Sequence, residues 1–169
     1  MGNCGVCRAQ DKLTLRREPI DRVTFRRLPV MPFIGPMEDR LAIHELVASY
    51  GDAVTRRDPE AWISNWAEKS VWKLRAIPGM ERIEGKDAIL AAWLSAMPGW
   101  PFQVNLQTAG SIVIAGNTGH GHTYTCELNT DTKGKTERWT NRYDDEWVKN
   151  DGRWLFQSRS LTVLHIGPG

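Results

Sequence analysis

"NRYDDEWVKNDGRWLF", residues 141–156, is the stretch on which the fold turns. Aromatic and β-branched residues on each side flank Asn150-Asp151-Gly152, and such Asn/Asp-Gly chemistry marks a tight chain reversal. The stretch is therefore a hairpin, with "TERWTNRYDDEWV" leading in and "RWLFQSRSLTVLHI" leading out. From Phe102 onward the apolar pattern has a period of two, and "SIVIAG" and "HGHTYTCEL" read as two further strands. Gly116-Asn117 and "NTDTKGK" supply the intervening turns.

The half of the chain before Phe102 has a different period. In "MEDRLAIHELVASYGDAV", Ile43, Leu46, Val47, Tyr50 and Val54 recur at helical spacing, and Glu38 and Asp39 suit a helix amino terminus. Asp58-Pro59 starts a second helix, "PEAWISNWA", which would set Trp62 and Trp66 four apart on one face. "SVWKLRAI" reads as a strand, and "KDAILAAWLSAM" is a third helix through Ile89, Trp93 and Met97, stopped by Pro98-Gly99. Helices followed by a run of antiparallel strands make an α+β chain with helices on one face of a curled sheet.

The chain has 169 residues, 25% of them charged, and a net charge of +2, too weak to argue for nucleic acid. Residues 1–36 carry +4 of their own, including Arg16, Arg17, Arg22, Arg26 and Arg27, and read as a basic, poorly ordered extension ahead of one domain at 37–169. No stretch is apolar for long enough to span a bilayer, and no secretory leader opens the sequence, so the cytoplasm is the expected compartment. Cys4 and Cys7 form a CxxC without a second ligand pair, and Cys126 stands alone, so neither a metal nor another cofactor is expected.

The order of these pieces resembles the SnoaL-like group of the cystatin-like, nuclear-transport-factor-2-like superfamily. The resemblance covers about residues 38–166 and rests most on "IEGKDAI" (83–89) and "YDDEWVKNDGRW" (143–154). It implies a cone-shaped barrel: three N-terminal helices packed in a strongly curved, mostly antiparallel sheet around an apolar pocket. It also implies general acid/base chemistry, of the kind polyketide cyclases, dehydratases, dehydrochlorinases and ketosteroid isomerase perform on bulky apolar substrates. In the dehydratase-like and dehydrochlorinase-like members a carboxylate at the end of the first helix partners a histidine from the sheet. Those positions match Thr55, in "VTRRD", and Asn105, in "VNLQTAG", and neither residue is a base near neutral pH.

The candidates for chemistry are therefore displaced ones. Tyr50 matches a tyrosine of some dehydratase members and would donate a hydrogen bond to a substrate oxygen. Asp52 is a substitute acid, although it lies about 200° round the helix from Tyr50. His120, His122, Tyr124 and Cys126 share one face of their strand, opposite Gly121, Thr123 and Thr125, and the histidines serve as bases if their face is the inner one. Trp139, Asn141 and Tyr143 share a face of the next strand. Thr55, Trp66, Trp72, Asn105, Tyr124, Trp139 and Asn141 are the candidate substrate contacts, with Gln103 or Gln107 in place of Asn105 if the register differs.

Three functional readings stay open. One is a small-molecule lyase or isomerase acting on a hydrophobic cyclic compound, with Tyr50, His120, His122 and Asp52 as catalytic residues. Another is a catalytically silent ligand-binding or assembly module of the same fold. The third is a partner subunit like those that accompany ring-hydroxylating dioxygenases. A homo-oligomer, dimer or trimer, is the expected state, with a small hydrophobic molecule as ligand.

Overall fold

The first helix organises the molecule. Helix α1, Met37–Arg56, buries Ile43, Leu46, Val47, Tyr50, Ala53 and Val54 along one stripe, as its helical spacing requires. The computed structural model describes residues 33–169; the basic extension and the CxxC fall almost wholly outside them. α1 ends in a left-handed residue, Arg57, at φ 58°. Its guanidinium donates to the carbonyls of Met97 (2.8 Å) and Trp100, tying the helix end to the turn beyond the third helix.

Two short strands, β1 (Phe33–Ile34) and β3 (Ile83–Glu84), lie at the sheet edges. Between them come α2 (Pro59–Ile63) and β2 (Trp66–Lys73). Asp58 caps α2 by accepting from the Ala61 amide at 2.9 Å, an interaction worth about 1 kcal/mol. The long second helix expected from "PEAWISNWA" does not form. It stops at Ile63 because the Asn65 side chain bonds back to the carbonyls of Ala61 and Trp62, and Trp66 opens β2 instead. The two indoles still meet, edge to face at 5.6 Å, so packing rather than a shared helical face pairs them.

Helix α3 (Lys86–Ala96) buries Ile89 and Trp93, and a 3₁₀ turn at Met97–Gly99 stops it. Four long strands follow: β4 (Phe102–Ala115), β5 (Thr118–Thr130), β6 (Thr136–Asn150) and β7 (Arg153–Pro168). The sheet order is β1-β4-β5-β6-β7-β2-β3, with only the β1–β4 and β2–β7 pairs parallel. This is the α+β architecture expected, with three helices against a curved sheet that stays open rather than closing into a barrel. Extra residues in β4 and β7 interrupt the ladders between Ala109 and Ser111, opposite Thr140/Asn141 and opposite Glu146/Trp147, and such bulges bend a sheet.

The inner face is set by what has to pack there. A Cβ at Gly121 would lie 1.9 Å from the Ser111 carbonyl and 3.0 Å from the Trp147 ring, so only glycine lets that buried indole cross the strand. Thr123 and Thr125 lie on the same face and are buried. His120, His122, Tyr124 and Cys126 therefore point to the outer face. No helix among the described residues is long and apolar enough to cross a membrane.

Candidate functional site

Between the helices and the inner face lies a cavity of about 400 Å³. α1 contributes Tyr50 and Val54 to its wall. β2 and the loop after it add Trp72, Leu74, Ile77 and Met80, and α3 with its following turn adds Trp93, Met97 and Trp100. The sheet supplies the polar side: Gln103 and Asn105 from β4, Glu127 and Asn129 from β5, and Trp139, Asn141 and Tyr143 from β6. The hollow is thus apolar toward the helices and amide-rich, with one carboxyl, toward the sheet.

Glu127 is the acid that sequence reasoning missed. It is partly exposed where it lines the cavity, yet protein packs around nearly all of it, and burial pushes its carboxyl above the usual glutamate range. Hydrogen bonds from Thr125 Oγ1 (3.1 Å), from the Asn129 amide and from Asn141 Nδ2 (3.3 Å) pull it partly back, as does the more distant charge of Arg159. The signal was present in the sequence. The alternation that sets Thr123 and Thr125 opposite the histidines continues to Glu127 and Asn129, and Gly121 marks that face as inward.

Behind the tyrosines sits a buried ion pair. Arg159 is fully buried, with Nε 2.9 Å from Asp145 Oδ1 and Nη2 3.3 Å from Oδ2. Its guanidinium lies over the rings of Tyr50 (4.3 Å), Tyr143 (4.0 Å) and Phe156 (4.1 Å). Burial pushes the Asp145 carboxyl up, against Arg159 and the Thr123 hydroxyl, and burial likewise opposes the charge on Arg159. The two-toothed contact, with Thr123 Oγ1 donating to Asp145 at 2.5 Å, decides in favour of an ionised pair. Burial also drives the Tyr50 phenol up to about 12, with Arg159 opposing, so the hydroxyl stays protonated and able to donate.

The other anticipated residues divide clearly. Tyr50, Trp72, Asn105, Trp139 and Asn141 all line the cavity, and so does Gln103. Trp66 is fully buried in the aromatic cluster with Tyr50, Trp62, Trp72 and Phe156 rather than in the wall. Thr55 does not face the hollow. Its hydroxyl donates to the Gly51 carbonyl (2.9 Å) and accepts from the Asn105 amide (3.0 Å), joining α1 to β4. Asp52 is exposed and pairs with Arg56 at 2.8 Å. The helix runs through Gly51 unbroken, because that glycine serves close approach to the Asn105 carbonyl and does not turn Asp52 inward.

His120, His122 and Tyr124 are placed away from the cavity, so none of them reaches a ligand bound beside Tyr50. The histidines line a separate outer hollow of about 500 Å³ with Asp144 and Glu146, and His122 Nδ1 lies 2.8 Å from Asp144 Oδ1. Tyr124 is more than one-third exposed, its ring covering Gly110 in the β4 bulge. The alternation itself was read correctly, but the face it assigned to the histidines is the outer one.

The SnoaL-like domain model matches residues 36–160. Among solved structures the chain is similar to a hexachlorocyclohexane dehydrochlorinase (LinA) of type 2, at 18% identity and a TM-score of 0.70 over 78% of this chain and 89% of that one. The type 3 dehydrochlorinase from Novosphingobium barchaimii matches equally well, at 18% identity and 0.70 over 78% and 90%. A ketosteroid isomerase-like protein from Erwinia carotovora atroseptica matches at 18% and 0.68 over 77% and 99%. At such identities these likenesses establish a shared fold and nothing finer. No curated protein matches the chain in sequence. The family match spans most of the chain, including the helices and strands that wall the cavity: the chain belongs to the SnoaL-like domain family.

Proposed function

We propose that this protein is a small-molecule lyase or isomerase that works by general acid/base chemistry on a hydrophobic cyclic substrate, with Glu127 as the proton carrier. The observation that carries this reading is the Glu127 carboxyl itself. It is ionisable, lies on the cavity wall with Tyr50, and is raised by burial toward the pH at which acids and bases work best. In this scheme the ionised carboxylate removes a proton from substrate carbon, and the Tyr50 phenol donates a hydrogen bond to the oxygen on which charge develops. Asn105, whose amide oxygen is held by Gln107 Nε2 at 2.8 Å, adds a polar contact on the same wall. Glu127 thus takes the part the sequence had assigned to His120, His122 or Asp52.

A thermal-shift screen of steroids, polyketide aromatics and terpenoids selects ligands, and proton NMR in deuterated buffer then follows C–H exchange and product formation. Glu127→Gln should reduce turnover by about 100-fold or more, and Tyr50→Phe by a smaller factor. Full activity in the Gln variant would remove Glu127 from the mechanism. One observation favours a ligand carrier instead: of the two dyad positions implied by the resemblance, Thr55 is spent on joining α1 to β4 by accepting from the Asn105 backbone amide, and Asn105, though on the cavity wall, is not a base. A carrier predicts binding without exchange in the unmodified protein.

A further inference from the structure

Behind the polar wall of the cavity runs a chain of hydrogen bonds whose direction is set at one end. The Asp145 contact and three aromatic rings fix the Arg159 guanidinium, and its Nη2 donates to Gln107 Oε1 at 3.2 Å. A guanidinium has no acceptor, so Gln107 has to meet it with its oxygen and turn its NH₂ group the other way. That group donates to Asn105 Oδ1 at 2.8 Å. Turning Gln107 over would set its NH₂ against the guanidinium, and turning Asn105 over would set NH₂ against NH₂. The arginine therefore dictates the direction of both amides.

What is left of Asn105 is a donor. Asn105 lines the cavity and is 6% exposed. Its Oδ1 is occupied, whereas Nδ2 has no partner among the described residues and is not one of the unpaired atoms sealed from solvent. The backbone beneath it is fixed as well: its amide donates to Thr55 Oγ1 at 3.0 Å, and a Cβ at Gly51 would lie 2.8 Å from its carbonyl oxygen. Asn105 and Glu127 stand directly opposite each other on β4 and β5, which sets their Cβ atoms about 5 Å apart. The bonds to the Glu127 carboxyl come from its other neighbours, among them Thr125 Oγ1 and Asn141 Nδ2, so the Asn105 NH₂ group is not engaged there.

We infer that Gln107 and Arg159 are positioning residues: they turn the Asn105 NH₂ group toward the cavity, where it donates to an acceptor oxygen of the ligand beside the Glu127 carboxyl. The inference deepens the function proposed above and rests on its cavity being the working site, but its test needs no turnover.

Gln107→Glu tests it by inversion. The glutamate keeps the size and still accepts from Arg159, but its second oxygen also only accepts, so Asn105 has to turn over and present NH₂ to it, leaving Oδ1 toward the cavity. In ¹⁵N-labelled protein at pH 7 without ligand, the Asn105 NH₂ protons, assigned through its own β protons, should exchange with water about tenfold more slowly in the variant than in the parent. The Gln107 NH₂ protons of the parent should be the protected ones. Isothermal titration should show α-tetralone binding the parent about tenfold tighter than the variant, with tetralin, which has no oxygen, binding both alike. The carbonyl stretch of bound α-tetralone should lie lower in the parent than in the variant. An Asn105 NH₂ group already protected in the parent, or one that the substitution leaves unchanged, overturns the inference, as does α-tetralone binding the parent no better than tetralin. If the variant fails to fold, the parent's amide exchange and its ketone preference still decide. Inversion of the amide with ketone preference but no turnover would leave the inference standing and remove the proposed enzyme. Turnover with an Asn105 amide indifferent to Gln107→Glu would do the reverse.

Discussion

Asp145→Ala should destabilise the protein by about 3–5 kcal/mol, because it strands a buried guanidinium without its counter-ion. Arg159 and Asp145 are almost completely buried, and Arg159 cannot discard its proton as a lysine or histidine would. The three aromatic rings around the guanidinium soften the loss but do not neutralise the charge. Arg159→Met leaves the complementary problem, yet a milder one: Asp145 can take up a proton and keeps the Thr123 hydroxyl. The double substitution Arg159→Met with Asp145→Leu removes both charges and fills the space with apolar atoms, so it should cost less than Asp145→Ala alone. Urea unfolding of the two singles and the double gives the comparison directly. Additive costs would mean that the pair is not coupled and that the close contact contributes little.

How much of this was legible follows from the difference between pattern and direction. The alternation along β5 and β6 was readable, and it correctly grouped His120 with His122 and Trp139 with Asn141 and Tyr143. Which group faces inward was not decided by hydropathy, because the inner face of β5 is glycine, threonine, glutamate and asparagine, less apolar than its outer face. Direction came from tertiary packing: Trp147 needs the space over Gly121, and that demand turns the threonine face toward the helices. Asp145 and Arg159 were passed over for a related reason. A charged residue in an amphipathic strand is ordinarily on the solvent side, and only their pairing across β6 and β7 allows both inside. The first helix was the easy part, since one unbroken apolar stripe fixed its buried face and placed Tyr50 on it. Its missing acid was legible as a gap. The carboxyl we propose in its place lies 72 residues further along the chain, on a strand whose inner side the sequence left undecided.

Glu127→Gln should cost activity and gain stability, and both effects should follow one titration. Burial raises the folded-state pKa of Glu127 above its ordinary value of 4.5. Between that value and the folded one, the native protein keeps a proton that the unfolded chain has already released, so stability falls as pH rises through this window. Below the window both states hold the proton and the carboxyl costs little. Above it the native protein carries a confined carboxylate and the penalty is complete. Glutamine is neutral throughout and removes the slope; the Asn129 amide, free to turn over, can present its oxygen to the new NH₂ group. The variant should match the parent near pH 4 and exceed it at pH 8 by about 0.5–2 kcal/mol, the gain typical of relieving a strained functional group. Catalysis reads the same proton with opposite sense: a base works only when ionised, so kcat/KM of the parent should rise across the pH interval in which its stability declines. Unfolding free energies at several pH values, set beside the pH–rate profile, test both together. A variant less stable than the parent at pH 8 would show that the carboxyl is an anchor for Thr125, Asn129 and Asn141 and not a group held ready for chemistry.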